Sequence, residues 1–300
     1  MTATHAPAVV AVGGGHGLAT SLRAIRMYAG SISAVVSVAD DGGSSGRLRA
    51  ALGVPAPGDI RRCVGALVGE PSVLAASLDH RFSGGELDGH ALGNVLLAGL
   101  ADATGDFTSA VDELARLVNA VGTVIPATVE PVVLVGDGVH GRVAGQVAIK
   151  QTGVDHLALD PAAPSSPPAV SKVIEAADQV ILGPGSLYTS VLAAAVVPAV
   201  REALRATSAQ RVYVCNLGPE GRETAGLDAA AHVEALERHG IDVDVVVHHP
   251  TALPGRPIPV PVVERPVARL PDGLAHDPVR LGEVLGDLAS GVLQGNRATY

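Results

Sequence analysis

Two adjacent carboxylates, Asp40 and Asp41, stand directly before a run that includes Gly42, Gly43, Ser44, Ser45 and Arg47. Carboxylates repel an anion and attract hydroxyl groups or a divalent cation. Glycine N–H groups, serine hydroxyls and a guanidinium do the opposite and can form a nest for phosphate. A nucleoside diphosphate satisfies both halves. Its ribose hydroxyls, or a Mg²⁺ ion, meet the carboxylates, and its phosphates meet the loop. Successive residues of a strand point to opposite faces, so one carboxylate of the pair is expected to face the pocket.

Other segments carry compatible chemistry. Gly13, Gly14, Gly15 and Gly17 fall between an apolar run and a helical pattern, where backbone N–H groups and the helix dipole suit an anion. Leu18 occupies the place of the third glycine in a dinucleotide fingerprint, so this is not that motif. Asp40 and Asp41 follow Gly17 by 23 and 24 residues, the distance at which nucleotide folds place an acidic ribose ligand. The segment PGDIRR offers Asp59, Arg61 and Arg62. Its two arginines point about 100° apart on a helix, so at most one faces the site, and Arg61 is the candidate. His90 and Asn94, at i and i+4, share a helical face and suit a base, a sugar or an acid–base group; a core histidine with a structural asparagine fits equally. Gly183, Gly185 and Ser186 form a second anion-suited turn, with Tyr188 and Thr189 in the helix turn that follows. Asn216 ends a later apolar run, before a loop with Arg222, Glu223 and Thr224. His248 and His249 diverge in a strand and lack partners at zinc spacing. No cofactor is required by this set. Mg²⁺ at Asp40 and Asp41 is the metal it accommodates, and no catalytic role is assigned beyond those two carboxylates.

The elements that position these residues follow from periodicity. Ala8 to Val12 and Ser31 to Asp40 read as buried strands, and Leu18, Leu22, Ile25 and Ala29 line one helix face between them. Residues 122–150 alternate valine with polar residues around Gly-Asp-Gly and predict an inserted antiparallel meander. Three further apolar runs end near Gly183, Asn216 and His249. Residues 250–300 predict a C-terminal extension with one helix. The whole reads as a single domain over 1–300: an α/β, Rossmann-like, doubly wound and mainly parallel sheet, with ligands beyond the carboxyl ends of its strands.

Composition narrows the function classes. Of 300 residues 47% are hydrophobic, only 2% are aromatic and none is Trp, so the core must be built from Ala, Val, Leu and Ile. A net charge of −9 and few aromatics argue against nucleic-acid binding. Cys63 and Cys215 fit reduced thiols. The apolar runs are too short to span a bilayer, and the N-terminus lacks a basic leader, so a cytoplasmic protein is expected.

Taken in order, GGGHGL, VADDGGSSGRLR, PGDIRRC, HALGN, GDF, PAT, GPGSLYTS, VP and VCNL resemble the gluconeogenesis factor family, the YvcK-like proteins of bacteria. That family lies within the CofD-like superfamily, which includes 2-phospho-L-lactate transferase. The likeness runs from Val9 to His249. It implies a Rossmann-like fold, binding of UDP-N-acetylglucosamine, and a regulatory role linking carbon metabolism to cell-wall precursor supply and cell shape during gluconeogenic growth. An enzyme of amino-sugar or cell-wall synthesis is the implied partner, and self-association into a homo-oligomer is a further expectation. The transferase relatives imply an alternative, a Mg²⁺-dependent transferase or a sugar-phosphate nucleotidyltransferase. They share the acidic pair, matched by Asp40 and Asp41, but their second turn typically reads Gly-Pro-Ser-Asn-Pro where this chain has Gly-Pro-Gly-Ser-Leu. Two positions depart from the family pattern. His16 stands where many members have threonine, and Ala275 where many have arginine before His276 and Asp277.

Overall fold

A computed structural model describes residues 6–138, 141–270 and 275–296. Ten strands are present among them: β1 (Ala8–Gly13), β2 (Ser31–Val36), β3 (Thr123–Pro126), β4 (Val133–Gly138), β5 (Gly141–Ala144), β6 (His156–Asp160), β7 (Gln179–Leu182), β8 (Gln210–Val214), β9 (Val245–His248) and β10 (Val262–Glu264). Seven form one sheet in the order β10-β9-β8-β7-β1-β2-β3, and every neighbouring pair is parallel. The buried stretches of its inner strands are apolar because helices cover both faces; Val9 to Val12, Val180 to Leu182 and Val245 to Val247 are all buried. Helix Gly15–Ile25 contributes Leu18, Leu22 and Ile25 to the same core.

The chain winds outward from β1 to β3 and then restarts beside β1 at β7, so the strand order reverses between β1 and β7. A reversal leaves a crevice at the carboxyl ends, since the connections on either side lead away from each other. Both glycine turns leave from this point.

Three expectations need correction. The small antiparallel sheet is β5-β4-β6, so it extends from Val133 to Asp160 rather than over 122–150. Thr123–Pro126 is instead the parallel edge strand of the large sheet, because its backbone pairs with β2. Residues 250–300 supply β10 to the large sheet as well as helix Pro278–Ala289. Finally, β2 stops at Val36, so strand alternation does not decide which of Asp40 and Asp41 faces the crevice.

Candidate functional site

The crevice consists of two adjoining cavities. The first, of about 460 Å³, is lined by the first glycine turn, Asp40, Asp59, Arg62, Gln146, Lys150 and, from the second turn, Gly185, Ser186, Thr189 and Ser190. The second, of about 400 Å³, is lined by Thr20, Pro184, Asn216 to Glu220, Ala275 and His276. His16, Gly17, Gly185 and Glu220 line both.

Gly13 closes β1, Gly14 is the N-cap of helix Gly15–Ile25, and Gly15 and Gly17 lie in its first turn. A Cβ at Gly14 would sit 2.5 Å from Asp59 Oδ2, and one at Gly17 would collide with the Pro184 carbonyl. Glycine thus lets the first turn press against both Asp59 and the second turn. Asp59 is enclosed by helix Pro57–Ala66, where Arg62 Nη1 donates to its Oδ1 at 2.7 Å. Burial pushes its pKa up to about 6 against the pull of Arg62, with the Asp40 charge adding to the rise. Beside it, burial and the Arg62 charge lower the pKa of His16, keeping that imidazole neutral near pH 7.

The acidic pair divides its roles. Asp40 lines the first cavity, and its Oδ1 accepts the Gly42 N–H at 3.0 Å. Asp41 turns away. Its two oxygens accept the N–H groups of Gln146 and Val147 at 2.9 and 3.0 Å, capping helix Gln146–Thr152 from the small sheet. Mg²⁺ is held by one or two carboxylates together with phosphate oxygens and water. Asp40 and Asp59, which line the same cavity, fit that donor set, and Asp41, which does not line it, does not. Among the described residues no group of three or more His, Cys, Asp or Glu forms a protein-only metal cage.

Several candidates lie elsewhere. Gly42 to Ser45 start helix Gly43–Leu52 rather than an open nest, and Ser44 and Ser45 are buried. Arg47 donates to the Asp88 carbonyl at 2.6 Å, outside the crevice. Arg61 is buried against Asp79 at 3.1 Å, so Arg62, one helical step on, is the arginine that faces the site. His90 precedes its helix, which begins at Leu92, so the pair does not share a helical face. His90 Nδ1 and Asn94 Nδ2 nevertheless meet at Ser44 Oγ, each at 3.1 Å, and join two elements behind the site. Tyr188 is a core residue, edge-on to His239 with ring centroids 6.1 Å apart.

The second turn also differs from expectation. Gly183 bends the chain after β7, and Gly185, Ser186 and Thr189 reach the cavity. The following helix, Leu187–Leu192, is of π type, and its first N–H groups are not left to an external anion. Glu223 accepts the N–H groups of Tyr188 and Thr189 and the Thr189 hydroxyl at 2.8–3.0 Å. Asn216 Oδ1 accepts the Gly185 N–H at 3.2 Å, while its buried Nδ2 faces no protein acceptor among the described residues.

Gln146, Lys150, Ser190 and Glu220 complete the site and were not marked by any local pattern. Lys150 is one of two lysines in the chain, and its helix is brought to the crevice by Asp41 and by Gln146 Nε2, which donates to the Thr189 carbonyl at 3.0 Å.

Comparisons with known proteins agree with this architecture. A family model described as 2-phospho-L-lactate transferase CofD matches residues 9–258. A gluconeogenesis factor of Halalkalibacterium halodurans is 41% identical over 247 residues, covering 80% of this chain and 77% of that protein. A putative gluconeogenesis factor of Nostoc sp. is 41% identical over 235 residues, 77% of this chain but 52% of that longer protein. A crystal structure of a UPF0052 family member from Bacillus halodurans superposes with a TM-score of 0.85 at 35% identity, covering 92% of this chain and 97% of that one. Fold, ordered motifs and relatives agree: the chain belongs to the gluconeogenesis factor family within the CofD-like superfamily.

Proposed function

We propose that the crevice binds a nucleotide sugar, with UDP-N-acetylglucosamine as the leading candidate. The protein would act in the cytoplasm as a regulator that conveys the ligand's level to an enzyme of amino-sugar or cell-wall synthesis. One observation carries the reading: at one end the crevice sets Arg62 and Lys150 between two glycine turns, beside the carboxylates of Asp40 and Asp59, and at the other end its described lining has no Lys or Arg. Arg62, Lys150 and the first turn suit a diphosphate, and the second cavity suits a neutral group with hydrogen-bonding edges. The gluconeogenesis factors among its relatives support the regulatory half. Among the described residues no single helix is long and apolar enough to cross a membrane.

A Mg²⁺-dependent transferase is the second reading, favoured by Asp40 and Asp59 lining the same anion-suited cavity. Mg²⁺ there would neutralise charge developing on a phosphate. Arg62 would orient that phosphate, and the two turns would fix it in place.

Calorimetric titration with UDP-N-acetylglucosamine, with and without Mg²⁺, followed by product analysis, separates the two. Binding with unchanged ligand supports the regulator, and Mg²⁺-dependent turnover supports the transferase. No heat under either condition overturns the choice of ligand.

A further inference from the structure

The junction of the two cavities carries a charge that the phosphate end does not explain. Glu220 lines both cavities, whereas Arg62 and Lys150 line only the first. Among the described residues the second cavity has no Lys or Arg in its lining, and burial keeps His276 neutral by pushing its pKa down to about 4. On the nucleotide reading the diphosphate meets Arg62 and Lys150, in a wall that Asp40 and Asp59 share, and the base enters the second cavity, so the ligand passes the Glu220 carboxylate between them.

The position of that carboxylate is braced. The Glu220 N–H donates to Thr224 Oγ1 at 2.8 Å, and Glu220 Oε2 accepts the Ser186 hydroxyl. An ionised carboxylate offers two oxygens with about four acceptor sites, so one hydroxyl leaves most of that capacity open. It repels phosphate and accepts hydrogen bonds only. The ligand portion that matches it is a pair of neighbouring hydroxyls, and in a nucleotide the group between phosphate and base is the ribose.

We infer that Glu220 is the specificity-determining residue for a vicinal diol, reading the ribose of a nucleotide laid across the two cavities. This rests on the nucleotide reading above but not on uracil or on the sugar. It also moves the ribose contact from the acidic pair after β2 to the loop after β8.

The test titrates UDP-N-acetylglucosamine, UDP, ADP and GDP against their 2′-deoxy and 3′-deoxy counterparts. Wild type, Glu220→Gln and Glu220→Ala are compared in Mg²⁺ and in EDTA. The wild type is expected to prefer ribose by about tenfold or more, the effect of one hydrogen bond to a charged acceptor. Both variants are expected to reduce that preference to about threefold or less, with ribonucleotide binding weakened more than deoxynucleotide binding. An unchanged preference in the variants overturns the inference. So does an equal loss for both ligand sets, which would mark Glu220 as a brace for Ser186 alone. A loss confined to Mg²⁺ would mark a metal ligand and overturn it too. If UDP-sugars fail to bind while ADP or GDP binds with the diol preference, the choice of ligand falls and this inference stands. If no nucleotide binds, both fall.

Discussion

Asp59 is held with its carboxylate away from solvent, between Arg62 and the first glycine turn. Its folded-state pKa of about 6 lies above the ordinary 3.8, so the folded protein binds the proton more tightly than the unfolded chain. The stability from this group is fully present below pH 3.8 and is lost as pH rises through 6. Two pKa units correspond to ~3 kcal/mol. Asp59→Asn, which cannot ionise, is expected to gain on the wild type by about that amount between pH 4 and 7. Urea unfolding of both proteins across that range measures the difference, and a flat difference would refute the assignment. At this scale the sequence was only partly legible. The pair Arg61–Arg62 announces that one arginine serves the site, yet the choice depends on Asp79 and the glycine turn, which lie far away in the chain. Lys150 had no local signal, because a lone lysine on a short helix looks the same whether or not a cavity lies beside it.

Helix Gln146–Thr152 shows how one element reaches the site through another. Its N-cap is Gly145, which has no side chain, and Asp41 supplies the missing carboxylate from 105 residues away in sequence. Asp41→Ala is expected to cost ~1 kcal/mol, as loss of an N-cap does. It should also weaken nucleotide-diphosphate binding by several fold, because Gln146 and Lys150 move with the helix. Hydrogen exchange over residues 145–152 and calorimetry together check this. Loss of affinity without local loosening would instead return Asp41 to direct ligand contact. The sequence suggested Asp41 as a ligand because an acidic residue after the second strand is the usual ribose contact. A cap formed between distant segments leaves no periodic trace. The same limit explains Thr123–Pro126: four residues suit a parallel edge or a meander equally, and only pairing with β2 decides.

The parallel sheet as a whole was legible, since long β-branched runs ending in glycine turns have few other uses. What could not be read was the contact between the two turns at the reversal of strand order. Gly17 packs against the Pro184 carbonyl and the Gly185 N–H, and Asn216 Oδ1 accepts that same N–H, so the ends of β1, β7 and β8 are braced in series. Gly17 tests whether this brace sets the crevice. In isolation Gly17→Ala should favour its helix by roughly 1 kcal/mol. Here the added methyl meets backbone, which cannot swing aside like a side chain, so the two turns must separate. Overpacking of this kind costs about 1–3 kcal/mol, or several degrees in the melting temperature of a protein this size. Affinity should fall as well, because His16, Gly17, Gly185 and Glu220 form the passage between the cavities. A variant that melts lower and binds nucleotide more weakly would show that packing between the turns shapes the passage. One that melts lower but binds unchanged would confine the brace to stability, and one unaffected in both would show that the turns yield without cost.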